Sequence, residues 1–132
     1  MFDDLIGIPF RFGGRSREGM DCWGLVIEVY RRLGIAVEDV DDYSDLSAEQ
    51  VSPGLADACA DRWHRIDEPF ESYDVLIFDI TACGAATHCG VWVGNGRILH
   101  AVRGIGVINS PFRGLRAKLL GAYRRGRAPC PA

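Results

Sequence analysis

Three side chains in this sequence have the types and surroundings to do covalent chemistry together: Cys22, His88 and His100. Cys22 lies in Gly19-Met20-Asp21-Cys22-Trp23-Gly24-Leu25-Val26, where a glycine-rich turn, Phe12-Gly13-Gly14-Arg15, gives way to an apolar, helix-length segment. A free thiol has a pKa of about 8.5 and is only slightly ionised at neutral pH. Oriented N–H dipoles at a helix start lower that value, and a nearby imidazole lowers it further. Cys22 has the first aid from its position and needs a histidine from elsewhere in the chain.

The chain has 3 histidines. His64, in Trp63-His64-Arg65, has no partner pattern and reads as a partly exposed residue. His88 opens Thr87-His88-Cys89-Gly90-Val91-Trp92-Val93, and His100 closes Gly96-Arg97-Ile98-Leu99-His100. Both runs favour strands, and Gly94-Asn95-Gly96 between them is a hairpin signal. Register then decides whether the two imidazoles can meet. A plain two-residue turn at Asn95-Gly96 pairs Val93 with Ile98 and sends the histidines to opposite faces. A three-residue loop, or an equivalent glycine bulge, pairs Gly90 with His100 and puts both rings on one face as diagonal neighbours. A working trio requires the second register, and Gly90 would leave room beside His100.

In that arrangement His88 is the general base for Cys22, and His100 holds the other imidazole nitrogen and fixes the tautomer. The thiolate attacks a carbonyl, the Cys22 N–H helps hold the oxyanion, His88 protonates the leaving amine, and water resolves the thioester. Zinc on Cys83, His88, Cys89 and His100 is the competing chemistry. Its spacing fits no common structural zinc pattern, and adjacent strand residues such as His88 and Cys89 point to opposite faces. No metal or cofactor is expected.

The elements that must position these groups are legible from periodicity. Leu25, Val26, Val29, Tyr30 and Leu33 share one face of a helix predicted over 22–33, with Glu28, Arg31 and Arg32 on the other. Asp21 suits its N-cap and Gly34 its C-terminal end. Residues 2–7 form a short helical turn ended by Gly7 and Pro9, and residues 10–20 read as loop. The acidic stretch 38–46 also reads as loop. Ser47 caps a second helix near Ala48, interrupted around Pro53-Gly54, with helical composition over 55–63. From there short β-favouring runs follow: 63–66, 75–80, 89–93, 98–102, 106–108 and 119–124. Helices first and strands after imply an α+β fold, helices packed on an antiparallel sheet of five or six strands.

At 132 residues the chain is expected to be one domain, 1–132, able to bury a core without disulfides. Its 5 cysteines are odd in number and are expected to be free thiols in a reducing compartment, with Cys59 and Cys130 in packing or surface positions. A net charge of −3 argues against general nucleic-acid binding. Charge is nonetheless uneven. Glu38, Asp39, Asp41, Asp42, Asp45 and Glu49 make an acidic stretch, and Arg103, Arg113, Arg116, Lys118, Arg124, Arg125 and Arg127 a basic final third. The basic third reads as a solvated face, or as a site for an acidic ligand. No apolar run reaches the length of a membrane span, and no basic start leads into an apolar run. Synthesis in a cytoplasm without a signal peptide is therefore expected, with any export needing a carrier or lysis.

Three blocks resemble the NlpC-type cysteine peptidases, papain-like endopeptidases of bacterial cell walls. They are Gly7-Ile8-Pro9-Phe10-Arg11-Phe12-Gly13-Gly14 leading to Asp21-Cys22-Trp23-Gly24-Leu25-Val26; Tyr73-Asp74-Val75-Leu76-Ile77-Phe78; and Thr87 to Gly96 running on to His100-Ala101. The resemblance implies Cys22 as nucleophile, His88 as base and His100 as the third polar residue, with Asp21, Trp23 and Phe10 supporting substrate or oxyanion. It implies a peptidoglycan stem-peptide amide as substrate, commonly the bond after γ-linked D-glutamate. Tryptophan after the cysteine, where many members have serine, looks like the phage-borne branch. That branch implies tail proteins as partners and action in the periplasm or wall. Two positions depart from the pattern: Phe10 stands where the family has a tyrosine whose hydroxyl lies near the cysteine, and Tyr73-Asp74 replaces Gly-Asp. Without that hydroxyl, a tail-assembly protein keeping the fold with little activity is an alternative, as is a thioester-forming acyltransferase or amidase acting elsewhere.

Overall fold

The computed structural model describes residues 2–40, 43, 46 and 62–126. Among them, six strands make one antiparallel sheet: β3 (Trp63–Ile66), β4 (Val75–Phe78), β5 (His88–Gly94), β6 (Arg97–Val102), β7 (Gly106–Pro111) and β8 (Leu119–Arg125). Their spatial order is β3-β8-β4-β5-β6-β7, so the last strand is inserted beside β4 and not added at an edge. β4 shows why that site is central. All four of its residues are buried, as expected for a strand covered on both faces.

One face of the sheet carries α1 (Cys22–Arg32). Leu25, Val26, Val29 and Tyr30 pack there with Val75, Ile77, Cys89, Val91, Leu99 and Ala101. The opposite face holds a smaller cluster of Leu76, Phe78, Ile98, Phe112 and Ala122, joined by Trp92 and Phe70. The fold is α+β, as the order of elements predicts. Strand runs 63–66, 98–102 and 119–124 match closely, and the run at 106–108 extends to Pro111. The second predicted helix, with Ser47 and Cys59, lies outside the described residues, as do Arg127 and Cys130.

Residues 10–20 are not all loop. β1 (Arg15–Ser16) and β2 (Gly19–Met20) form a minimal hairpin, and Phe10 bridges to Met20. Glycine content hid this pairing because two-residue strands leave no alternation to read. Residues 2–7 hold a 3-10 turn over Asp3–Leu5.

Much of the basic final third braces the sheet. Arg124 makes bonds of 2.9 and 2.8 Å to the buried Asp74 carboxylate. Arg125, itself buried, pairs with Glu38 and lies over Trp63. Arg116 pairs with Glu68 and covers Phe112. Tyr73 sits at φ 77°, the left-handed region that glycine occupies freely, which explains why glycine suits that position in the resembling family. Its ring meets Phe2 edge-on at 5.9 Å and its carbonyl accepts from the Tyr30 hydroxyl, contacts that hold the tyrosine there.

Candidate active site

Cys22 is the first residue of α1, where backbone N–H groups have no intrahelical acceptor. Asp21 caps the helix: its Oδ1 accepts from Gly24 N at 2.8 Å and from Arg15 Nη1 at 2.6 Å, and its Oδ2 from Gly13 N at 3.0 Å. One carboxylate thus ties the glycine turn to the helix start. Gly24 brings the two closer still, because a Cβ there would run into the Gly14 carbonyl oxygen.

His88 opens β5, and His100 lies on β6. The hairpin between them solves the register problem in two steps. Gly94 pairs with Arg97 across a two-residue Asn95-Gly96 turn, both turn residues having positive φ (56° and 72°). A bulge at Val93 then shifts the ladder, so that Trp92 faces Ile98 and Val91 faces Leu99. The shifted ladder sets Gly90 beside His100, where an added Cβ would lie 3.2 Å from the histidine Cβ. The loop is shorter than three residues, but the bulge yields the register that puts both imidazoles on one face. His88 Nε2 meets His100 Nδ1 at 2.8 Å.

The chain of bonds goes one residue further than the sequence reading. His100 Nε2 lies 2.6 Å from Ser110 Oγ on β7. Burial, and secondarily the charge of His88, lower the His100 pKa to about 4, so its ring is neutral near pH 7. A neutral His100 that donates from Nε2 to Ser110 has Nδ1 free to accept from His88 Nε2–H. That leaves His88 Nδ1 for the sulfur. Ser110 was missed because the strand was read only to Ile108. Two more residues of alternation from Ile108, which pairs with His100, reach Ser110 on the same face. Ser110→Ala should lower turnover about 10-fold with little change in KM, as expected for one lost neutral hydrogen bond. An imidazole NMR spectrum showing His100 losing its single tautomer would accompany the loss.

The Cys22 thiol is held well below the ordinary thiol range. Hydrogen bonding from the buried Cys89 thiol contributes most, against the opposing effect of burial, followed by hydrogen bonds from His88 and Tyr43 and the charge of His88. Cys89 moves the other way. Burial, then its contact with Cys22, pushes it well up, so it stays a donor. Neither Cys89 nor Tyr43 has a catalytic signature in the sequence. Tyr43 Oη stands 3.3 Å from Cys22 Sγ, and its ring stacks on Trp23 with centroids 5.8 Å apart and planes 7° from parallel.

Cys22, His88, Tyr43 and Trp23 line one cleft of about 650 Å³, which also takes in Phe10, Phe12, Arg15, Asp21 and Arg103. Phe10 packs edge-on against Phe12 at 5.0 Å and presents only an apolar wall. Trp23 is nearly fully buried and donates from Nε1 to Glu38 O at 3.0 Å. His64 lies on β3, on the far side of the sheet order from β6, outside this cleft. Exposed Cys83 is held at Asp79. The geometry can support a thiolate, move a proton through His88 and donate to an oxygen beside the sulfur.

Comparison with known proteins places these features in a wider group. The profile of the NlpC/P60 family matches residues 7–123. Gamma-DL-glutamyl hydrolase of Bacillus subtilis (strain 168) is 31% identical over 103 residues, covering 76% of this chain and 22% of that protein. Murein DD-endopeptidase MepH of Escherichia coli (strain K12) is 31% identical over 105 residues, covering 74% of this chain and 32% of that protein. The chain therefore spans a third or less of these curated relatives. A crystal structure of an NlpC/P60 family protein from Bacillus cereus ATCC 10987 superposes with a TM-score of 0.70 at 22% identity, over 93% of this chain and 37% of that one.

Proposed function

The chain belongs to the NlpC/P60 family, and on that footing we propose that it is a cysteine peptidase acting on amide bonds of the peptidoglycan stem peptide. The observation that carries this reading is that Cys22 at its helix start and His88 line one cleft, with His88 Nε2 bonded to His100 and His100 bonded to Ser110 behind it. In the reaction, the Cys22 thiolate attacks the scissile carbonyl, forming a C–S bond and sending the π electron pair to oxygen. The oxyanion collapses, the C–N bond breaks, and the His88 proton goes to the leaving amine. Water then gives a proton to His88 and attacks the thioester, releasing the acid and returning the thiolate. His100 stays neutral throughout and orients His88 by accepting from its Nε2–H.

Two finer points complete the reading. Cleavage after γ-linked D-glutamate is supported by the likeness to a protein named gamma-DL-glutamyl hydrolase. Carriage on a phage tail, with action in the periplasm or wall, is supported by Trp23 following the cysteine, which resembles the phage-borne branch. Among the described residues no helix is long and apolar enough to cross a membrane.

The test is digestion of purified peptidoglycan, with Cys22→Ala as control and fragments identified by mass. Wild-type protein should release stem-peptide fragments with a new carboxyl terminus at one bond, and the variant none. Intact peptidoglycan after prolonged incubation with folded wild-type protein would overturn the reading.

A further inference from the structure

Phe10 supplies no hydroxyl to the cleft, yet a hydroxyl stands against the sulfur: Tyr43 Oη, 3.3 Å from Cys22 Sγ. We propose that Tyr43 is a catalytic residue of this chain, donating its O–H first to the Cys22 thiolate and then to the oxygen of the tetrahedral intermediate. This rests on the reading of Cys22 as the nucleophile and adds a donor from a segment that carries none of the three sequence blocks.

Geometry supports the role at both stages. When the thiolate attacks, negative charge leaves sulfur for the carbonyl oxygen bonded to the same carbon. A donor within hydrogen-bond distance of the sulfur is then close to that oxygen, and small tilting of the O–H suffices to follow the charge. The Cys22 N–H at the helix start is the second donor. Tyr43 remains a donor throughout, because burial, together with the negative charge of the Cys22 thiolate beside it, pushes its phenol further up from the ordinary value.

The tyrosine is also held in place before substrate arrives. Its ring lies nearly parallel on Trp23, whose indole N–H is bonded to Glu38 O. The Glu38 carboxylate is gripped by Arg125, and Asp39 next to it by Arg15 at 2.9 and 2.8 Å. Arg15 in turn reaches the Asp21 cap. Trp23 under the Tyr43 ring, and Glu38 and Asp39 beside it, are thus tied to β8 and to the helix cap, the preorganisation that an oxyanion donor needs. Trp23 gains a specific job by the same contacts: it is the plate on which the hydroxyl donor is mounted.

Tyr43→Phe keeps the ring and its stack on Trp23 and removes one oxygen, so the fold should be unaffected. Loss of a hydrogen bond to a charged group should lower turnover by about 10- to 100-fold with KM nearly unchanged. Alkylation of Cys22 by iodoacetamide, followed as a function of pH, should shift its midpoint upward. Tyr43→Leu, which also removes the stack, should lose at least as much. Wild-type turnover and an unshifted alkylation midpoint in Tyr43→Phe would overturn the proposal. Failure of the wild-type protein to cleave peptidoglycan would strike the proposed function instead, while the alkylation profile would still decide whether Tyr43 serves the thiolate.

Discussion

His88→Ala is expected to cost turnover about as much as removing Cys22 itself, on the order of 10⁴-fold. Two losses coincide in that variant. The thiol loses both a hydrogen bond and a positive neighbour, and the leaving amine loses its proton source. Because the two residues act as one unit, the double variant Cys22→Ala/His88→Ala should be no worse than either single variant. Alkylation separates the two losses. The folded-state thiol pKa is lowered, so the thiolate is the major form above that value, and alkylation rises as pH passes up through it. Without His88 the midpoint moves up, and labelling at mildly acidic pH falls sharply. It should not reach the behaviour of a free thiol, because the helix start, Cys89 and Tyr43 remain. A His88→Ala protein within tenfold of wild-type turnover would remove His88 from the mechanism.

Gly24→Ala is the second large effect, and its sign is diagnostic. In an ordinary helix interior, alanine in place of glycine stabilises by about 1 kcal/mol. Here the new Cβ would strike the Gly14 carbonyl oxygen, while standing 3.2 Å from Arg15 Nη1 and 3.3 Å from Asp21 Oδ1. Backbone carbonyl, ion pair and N-cap would all have to retreat. We expect a net loss of about 2–3 kcal/mol, the usual range for overpacking, and a Tm lower by about 10 °C. The retreat also carries Cys22 away from His88, and a misplacement of about 1 Å is enough for roughly 100-fold in rate. Thermal unfolding together with turnover checks both parts. An unchanged or raised Tm would show that the helix start is not held against the glycine turn.

Elements with a strong period were readable directly. The α1 stripe of Leu25, Val26, Val29 and Tyr30 is buried as its spacing predicts, and Asp21 accepts from Gly24 N as an N-cap should. Strands built from β-branched runs fell within a few residues of their predicted ends. The minimal β1–β2 hairpin was not readable, since glycine, arginine and a ladder of two pairs give no pattern. Nor was the insertion of β8 between β3 and β4, because sequence order says nothing about which edge a returning strand will join.

The site divides along the same line. The sequence by itself determined the identities and local settings of Cys22, His88 and His100. It also reduced their meeting to a single choice of hairpin register, because side chains on a strand alternate with a fixed period of two. Only the tertiary structure decided how that register arises, from a two-residue turn and a bulge at Val93 together. It alone brought Ser110 behind His100, Cys89 beneath Cys22, and Tyr43 from an acidic stretch with no motif to a place against the sulfur. The physical reason is range. Periodicity and capping are settled by neighbours a few residues apart, whereas a lone hydroxyl or thiol acquires its chemistry from whatever distant surface the packed core sets beside it.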